Sequence, residues 1–243
     1  MRNFLIALQF LTRIPVKIQR EIKESDLVNS VVFFPLAGLI LGLILVGTNF
    51  ILSLFLPSFA SLLLTFAVYL LLTGCMHLDG FADTIDGLYG GKTKEEIFKI
   101  MDDSHLGAMG AVWLFIILIL KVFLLVNFNI SNLNIAFILM PVLSRTGIIL
   151  QMFFAPPAKN NGLGSIFCKK VPFKQLIMAI GFSFLISLLV GLNGIFAFLI
   201  TTVISILIAL YFVKKIGGIT GDIFGFTVEI IEICVLIILS LKL

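Results

Sequence analysis

"GCMHLDGFADTIDGL", residues 74–88, follows a long apolar run and sets Asp79, Asp83 and Asp86 four and then three residues apart. On a continuing α-helix each residue turns about 100°, so these steps gather the three carboxylates within a wedge of roughly 60°. Near hydrocarbon a single carboxylate costs about 2.5–3.5 kcal/mol even on lenient insertion scales, and three on one edge also repel one another. The stretch therefore calls for a cation. It also marks the point where the greasy segment before it leaves the apolar phase.

Outward from that point the composition decides the class. The 243 residues are 60% hydrophobic and 12% charged, against roughly 45–50% and 25% in soluble domains. This excludes an ordinary soluble domain and predicts an all-α, polytopic integral membrane bundle. Apolar windows at 33–55, 59–75, 108–126, 135–154, 176–192, 195–213 and 223–241 give about seven transmembrane helices. The N-terminal "MRNFLIALQFLTRIPVKIQR" has a short apolar core and no small-residue cleavage site, so it reads as a retained interfacial or re-entrant helix. Cys75, Cys168 and Cys234 are odd in number, widely spaced and without a CxxC pair, which argues against a disulfide framework or a zinc site. No repeat or linker divides the chain, so residues 1–243 are taken as one domain.

Charge supplies the topology. Of the 17 bases, 14 fall on alternate loops, from Arg2, Arg13, Lys17, Arg20 and Lys23 before the first span to Lys214 and Lys215 after the sixth. That pattern orients the N-terminus, and with it the aspartate edge, toward the cytoplasm of a multi-pass inner-membrane protein.

Hard divalent cations prefer carboxylate oxygens, and Mg²⁺ binds through a few of them plus water and substrate phosphates. Apart from His77 and His105 the chain offers no imidazole, which leaves little for zinc or copper. The plainer alternative is a solvated helix end, although Gly80 and Gly87 weaken that helix with no evident folding return. "MDDSHLGAMG", 101–110, adds Asp103 as a further ligand candidate and glycines at 107 and 110, where a helix start accepts a phosphate or a close backbone. Helix capping explains "DDS" equally well. In "GGITGDIFGFTVEIIE", 217–232, Asp222, Glu229 and Glu232 share a face that runs about 15 Å. Intramembrane glutamates face a bundle interior, and Arg145 in "PVLSRTG" is their partner or a phosphate's. The loop "APPAKNNGLGSIFCKK", 155–170, puts Lys159 on flexible backbone suited to a phosphate-bearing substrate, though topology alone also places bases there.

Together, "FLTRIPV" at 10–16, "HLDGFADTIDGL" at 77–88, "DSHLGAMG" at 103–110, "LSR" at 143–145, "NGLG" at 161–164 and "GGITGDIFGFTVEIIE" at 217–232 resemble the adenosylcobinamide-GDP ribazoletransferase (cobalamin synthase) family. The chain departs from the family's common pattern at Asp102 and His105, where basic residues, often Arg at the second position, are usual. The resemblance implies a Mg²⁺-dependent membrane enzyme that joins adenosylcobinamide-GDP to α-ribazole or its 5′-phosphate and releases GMP. Its partners would be those substrates and the lipid bilayer, not nucleic acid, with self-association or association with other cobalamin-assembly enzymes left open. The metal set would be Asp79, Asp83, Asp86 and Asp103, with Asp83 or Asp222 taking the proton. Substrate contacts would fall on Arg13, His77, His105 and Arg145, on Lys159, Gly162 and Gly164, and on Thr220, Asp222, Glu229 and Glu232. Two other readings compete. A CDP-alcohol phosphotransferase needs Arg where this chain has Asp83, and an ion-coupled transporter would explain the deep glutamates but not acids at the mouth.

Overall fold

Gly74 and Cys75 both take left-handed backbone conformations (φ 61° and 56°), and the apolar run is broken there rather than continued. The computed structural model describes residues 1–18 and 21–241, which leaves Arg20 outside the described residues. Its helices, in order, are α1 (Arg2–Leu11), α2 (Glu24–Ser30), α3 (Phe34–Ser53), α4 (Ser58–Thr73), α5 (Met76–Gly90) and α6 (Lys94–Met101). They continue as α7 (Ala108–Val126), α8 (Ile130–Phe154), α9 (Leu163–Phe167), α10 (Phe173–Val190), α11 (Leu192–Ile216) and α12 (Gly221–Ser240). A 3-10 turn, Val31–Phe33, joins α2 to α3. No strand forms among the described residues.

Six helices are long and apolar enough to cross a membrane, and the bent pair Ser58–Thr73 with Met76–Gly90 makes a seventh candidate. The expected polytopic all-α bundle is therefore present. One element differs. The aspartates do not extend the second span as a straight helix, because α5 turns by 80° from α4. The first helix, α1, has 10 residues, about 15 Å of rise, too short to cross. It buries Ile6, Ala7, Leu8 and Leu11, the last three in a cluster shared with Phe34 and Phe167.

Two helices organise the interior. Across its middle, α8 is buried from Leu139 to Met152, and it packs against α3, α10, α11 and α12. In turn, α12 packs against α5, α7, α8 and α11. Whatever α12 carries is thus held in the centre of the bundle.

Candidate active site

The acidic helix is seated by two glycines. A Cβ on Gly80 would lie 2.8 Å from the Asp222 backbone, and one on Gly225 would lie 2.9 Å from the His77 carbonyl oxygen. Only hydrogen fits at this crossing, so α5 rests directly on the first turn of α12. Phe81 stacks on Phe226 beside it, with ring centroids 5.5 Å apart. Gly87 meets the Met101 side chain at a would-be 2.7 Å and the Ile97 carbonyl oxygen at 3.2 Å. Both glycines therefore have a folding role, which corrects the expectation that they bring none. Gly80 sets the edge of Asp79 and Asp83 against the first turn of α12, and Gly87 lets α6 close against α5.

Asp79 is exposed, whereas Asp83 and Asp222 are half-buried. Asp83 stands in the like-charge field of Asp79, Asp222, Asp86 and Asp102. Among the described residues no Lys, Arg or His forms an ion pair with Asp79, Asp83 or Asp222. The Thr220 hydroxyl caps α12 by accepting from Ile223 N–H and lies 3.3 Å from Asp222 Oδ2, to which it donates.

A cavity of about 410 Å³ opens at the same turn, lined among others by Asp102, Lys159, Gly162, Gly164, Thr220 and Asp222. Backbone pairing builds it: Ala158 N–H donates to the Ile219 carbonyl at 3.0 Å, and Ile219 N–H to the Pro156 carbonyl at 3.0 Å. This two-bond bridge carries the "NGLG" loop to the start of α12. Lys159 Nζ donates to both Asp102 carboxylate oxygens, at 2.6 and 2.7 Å, and sits 4.6 Å from the Phe98 ring centroid. Five of the residues singled out in the sequence thus share one cavity.

Other expectations come apart. Asp86 accepts Gly107 N–H and Gly110 N–H, one on each oxygen, both at 2.8 Å. The start of α7 is thus filled by a carboxylate, and the phosphate expected there has no room. Asp103 pairs with His105, Oδ1 to Nδ1 at 2.6 Å, in a second cavity of about 840 Å³ that also touches Asp86. That hydrogen bond holds the Asp103 carboxyl below its usual range and the His105 imidazole above its own. The residue of "DDS" that joins the Asp222 cavity is Asp102, which sequence reasoning had noted only as a departure. Asp79, Asp83, Asp86 and Asp103 do not form a ready-made metal cage, because no three such groups converge for a metal among the described residues.

Arg13 lies against Gly74 at the α4–α5 bend. His77 is buried under α12, and its Nε2 has no hydrogen-bond partner among the described residues. Arg145, Glu229 and Glu232 are corrected most sharply as substrate contacts: they are 0%, 4% and 0% exposed and belong to an interior ionic cluster. Arg145 Nη1 bonds Glu232 Oε1 at 2.8 Å and the Tyr69 hydroxyl at 2.8 Å. Lys121, not anticipated from sequence, bonds Glu229 and Glu232, each at 2.6 Å. Its signal was available: a lone Lys in an apolar span needs a buried acid, and the chain has two.

The family profile described as cobalamin-5-phosphate synthase matches residues 3–240. The adenosylcobinamide-GDP ribazoletransferase of Clostridioides difficile is 35% identical, covering 99% of this chain and 98% of that protein. Those of Alkaliphilus metalliredigens and Geotalea daltonii are each 36% identical, over 99% and 98% of this chain and 96% and 97% of their own lengths. No solved structure matches the chain. With the profile running through α5, the "NGLG" loop and α12 alike, the chain belongs to the cobalamin-5-phosphate synthase family.

Proposed function

We propose that the protein joins adenosylcobinamide-GDP to α-ribazole or its 5′-phosphate, with Mg²⁺, at the cytoplasmic face of a prokaryotic inner membrane, and releases GMP. The reading is supported most directly by the α5–α12 crossing, where Gly80 brings the edge of Asp79 and Asp83 against the backbone of Asp222, beside a cavity lined by Lys159 and "NGLG". The oxygen-only donors, with no described cationic side chain paired to them, fit a hard divalent cation, and Asp79 and Asp83 are the residues that would hold it. Bound there, Mg²⁺ supplies charge neutralisation for the pyrophosphate and the departing phosphate oxygen.

The remaining work belongs to the chain. Lys159 holds a phosphate as a point charge once Asp102 releases it. The "NGLG" backbone aligns the pyrophosphate against the first turn of α12. Asp222, oriented by Thr220, accepts the proton as the ribazole hydroxyl oxygen bonds to the corrinoid-side phosphorus. The phosphorus–oxygen bond to GMP breaks, and GMP leaves with the bridging oxygen.

The test is GMP release by purified protein in liposomes given both substrates and Mg²⁺, with and without EDTA. GMP in the Mg²⁺ arm alone is the expected result. Folded protein that releases none but passes cations across sealed vesicles would overturn the reading in favour of a transporter. The interior cluster argues against that outcome, because Lys121 and Arg145 already neutralise Glu229 and Glu232.

A further inference from the structure

The ionic cluster in the bundle interior takes no part in the chemistry above, yet its groups are almost fully enclosed. Lys121 on α7 and Arg145 on α8 are 1% and 0% exposed, and both reach α12. Tyr69 on α4 closes the set through hydrogen bonds with Arg145 and Glu232. Two cations meet two anions, so the cluster carries no net charge to offer a ligand. What it does constrain is α12 itself.

Most contacts of α12 with its neighbours are apolar, and apolar packing has little direction. A slip of one turn moves a helix about 5.4 Å along its axis and leaves greasy faces opposed to greasy faces. For α12 such a slip would bring Gly225 and Val228, or Ile233 and Leu236, opposite Lys121 in place of the glutamates. The ammonium would then be stranded in an apolar interior. Directed pairs therefore distinguish registers that apolar contacts do not. The register matters because Asp222 begins the same helix, seven residues before Glu229.

The geometry points to Lys121 as a positioning residue: by pairing with Glu229 and Glu232 it sets the axial register of α12, and so the place of Asp222 against Gly80 on α5. The catalytic part of this inference rests on the reading above; the register part does not.

The experiment reads register directly. Gln151 on α8 donates to Thr227 on α12, Nε2 to Oγ1 at 2.6 Å. In full-length protein whose three native cysteines are replaced by serine, Gln151→Cys with Thr227→Cys is oxidised in liposomes. The same is done for Gln151→Cys with Phe224→Cys and with Ile231→Cys. In the parent the 151–227 pair dominates. In Lys121→Met its yield falls at least threefold while a one-turn neighbour gains. With the cysteine substitutions absent, kcat for GMP release falls about 100-fold, KM stays within twofold, and Lys121→Arg restores at least a tenth of the parent rate. If Lys121→Met does not fold, the charge-balanced pair Lys121→Met with Glu229→Gln takes its place, with the same shift expected. An unchanged cross-linking pattern overturns the proposal whatever the activity. Parent protein that cross-links as expected but releases no GMP overturns the catalytic reading and leaves the register assignment standing.

Discussion

At the scale of single residues, the carboxylates sort by what occupies them. Asp86 has each oxygen on a backbone N–H, Asp103 has His105 and Asp102 has Lys159, whereas Asp79 and Asp83 keep no cationic partner among the described residues. That difference was not legible at steps of four and three residues, which predict a shared face but not what approaches it. Asp79→Asn and Asp83→Asn are expected to lower GMP release at least 1,000-fold, on the scale of losing charge stabilisation in the transition state, with expression and detergent elution volume unchanged. Asn keeps the shape and removes the charge, so a near-normal rate in either variant would take that residue out of the cation shell.

Among the elements, the seven apolar runs were readable because greasy stretches of about 20 residues have one economical structure in a bilayer. The bend after α4 was not, because Cys75 is an unusual residue for a left-handed conformation and only Gly74 hinted at it. Likewise the value of Gly80 depends on α12, more than 140 positions away along the chain. Gly80→Ala poses a contest of magnitudes. Helix propensity favours Ala by about 1 kcal/mol, while forcing a methyl into a packed contact costs about 1–3 kcal/mol. The obstacle here is backbone at 2.8 Å and cannot swing aside, so the clash wins. A lower melting temperature in detergent and a lost GMP signal are expected. Gly47→Ala in α3, whose added methyl meets nothing within 4 Å, supplies the opposite sign and should leave stability equal or higher. A Gly80→Ala protein as stable and active as the parent would show that α5 does not need this crossing.

For the whole molecule, contacts between loops decide how many times the chain crosses. Lys170, just before α10, pairs with Glu24 at the start of α2, and Gln175 donates to Asn29 at 2.7 Å. Lys159 joins Asp102 beyond α6, and Ala158 joins Ile219 before α12. Groups this close cannot lie on opposite sides of a hydrocarbon layer about 30 Å thick, so these four segments share one face. Starting from α2 on that face, α3 crosses; since the chain is back on it by Asp102, the bent pair α4 and α5 together must return. Helices α7 with α8 and α10 with α11 then make two round trips, and α12 crosses alone. The crossings number seven, and the end of α12 emerges opposite to the start of α2. If the bases concentrated on the shared face follow the positive-inside rule, that face is expected to be cytoplasmic. Alkaline phosphatase fused after Leu241 should therefore be active, and fused after Lys174 inactive, with the pattern reversed for a green fluorescent protein fused at the same points. An inactive phosphatase after Leu241 would mean that α4 and α5 dip and return without spanning, or that the bundle is inverted. Either alternative would also make the Lys174 fusion active; a phosphatase fused after Leu56, between α3 and α4, separates the two, since only inversion makes that one inactive.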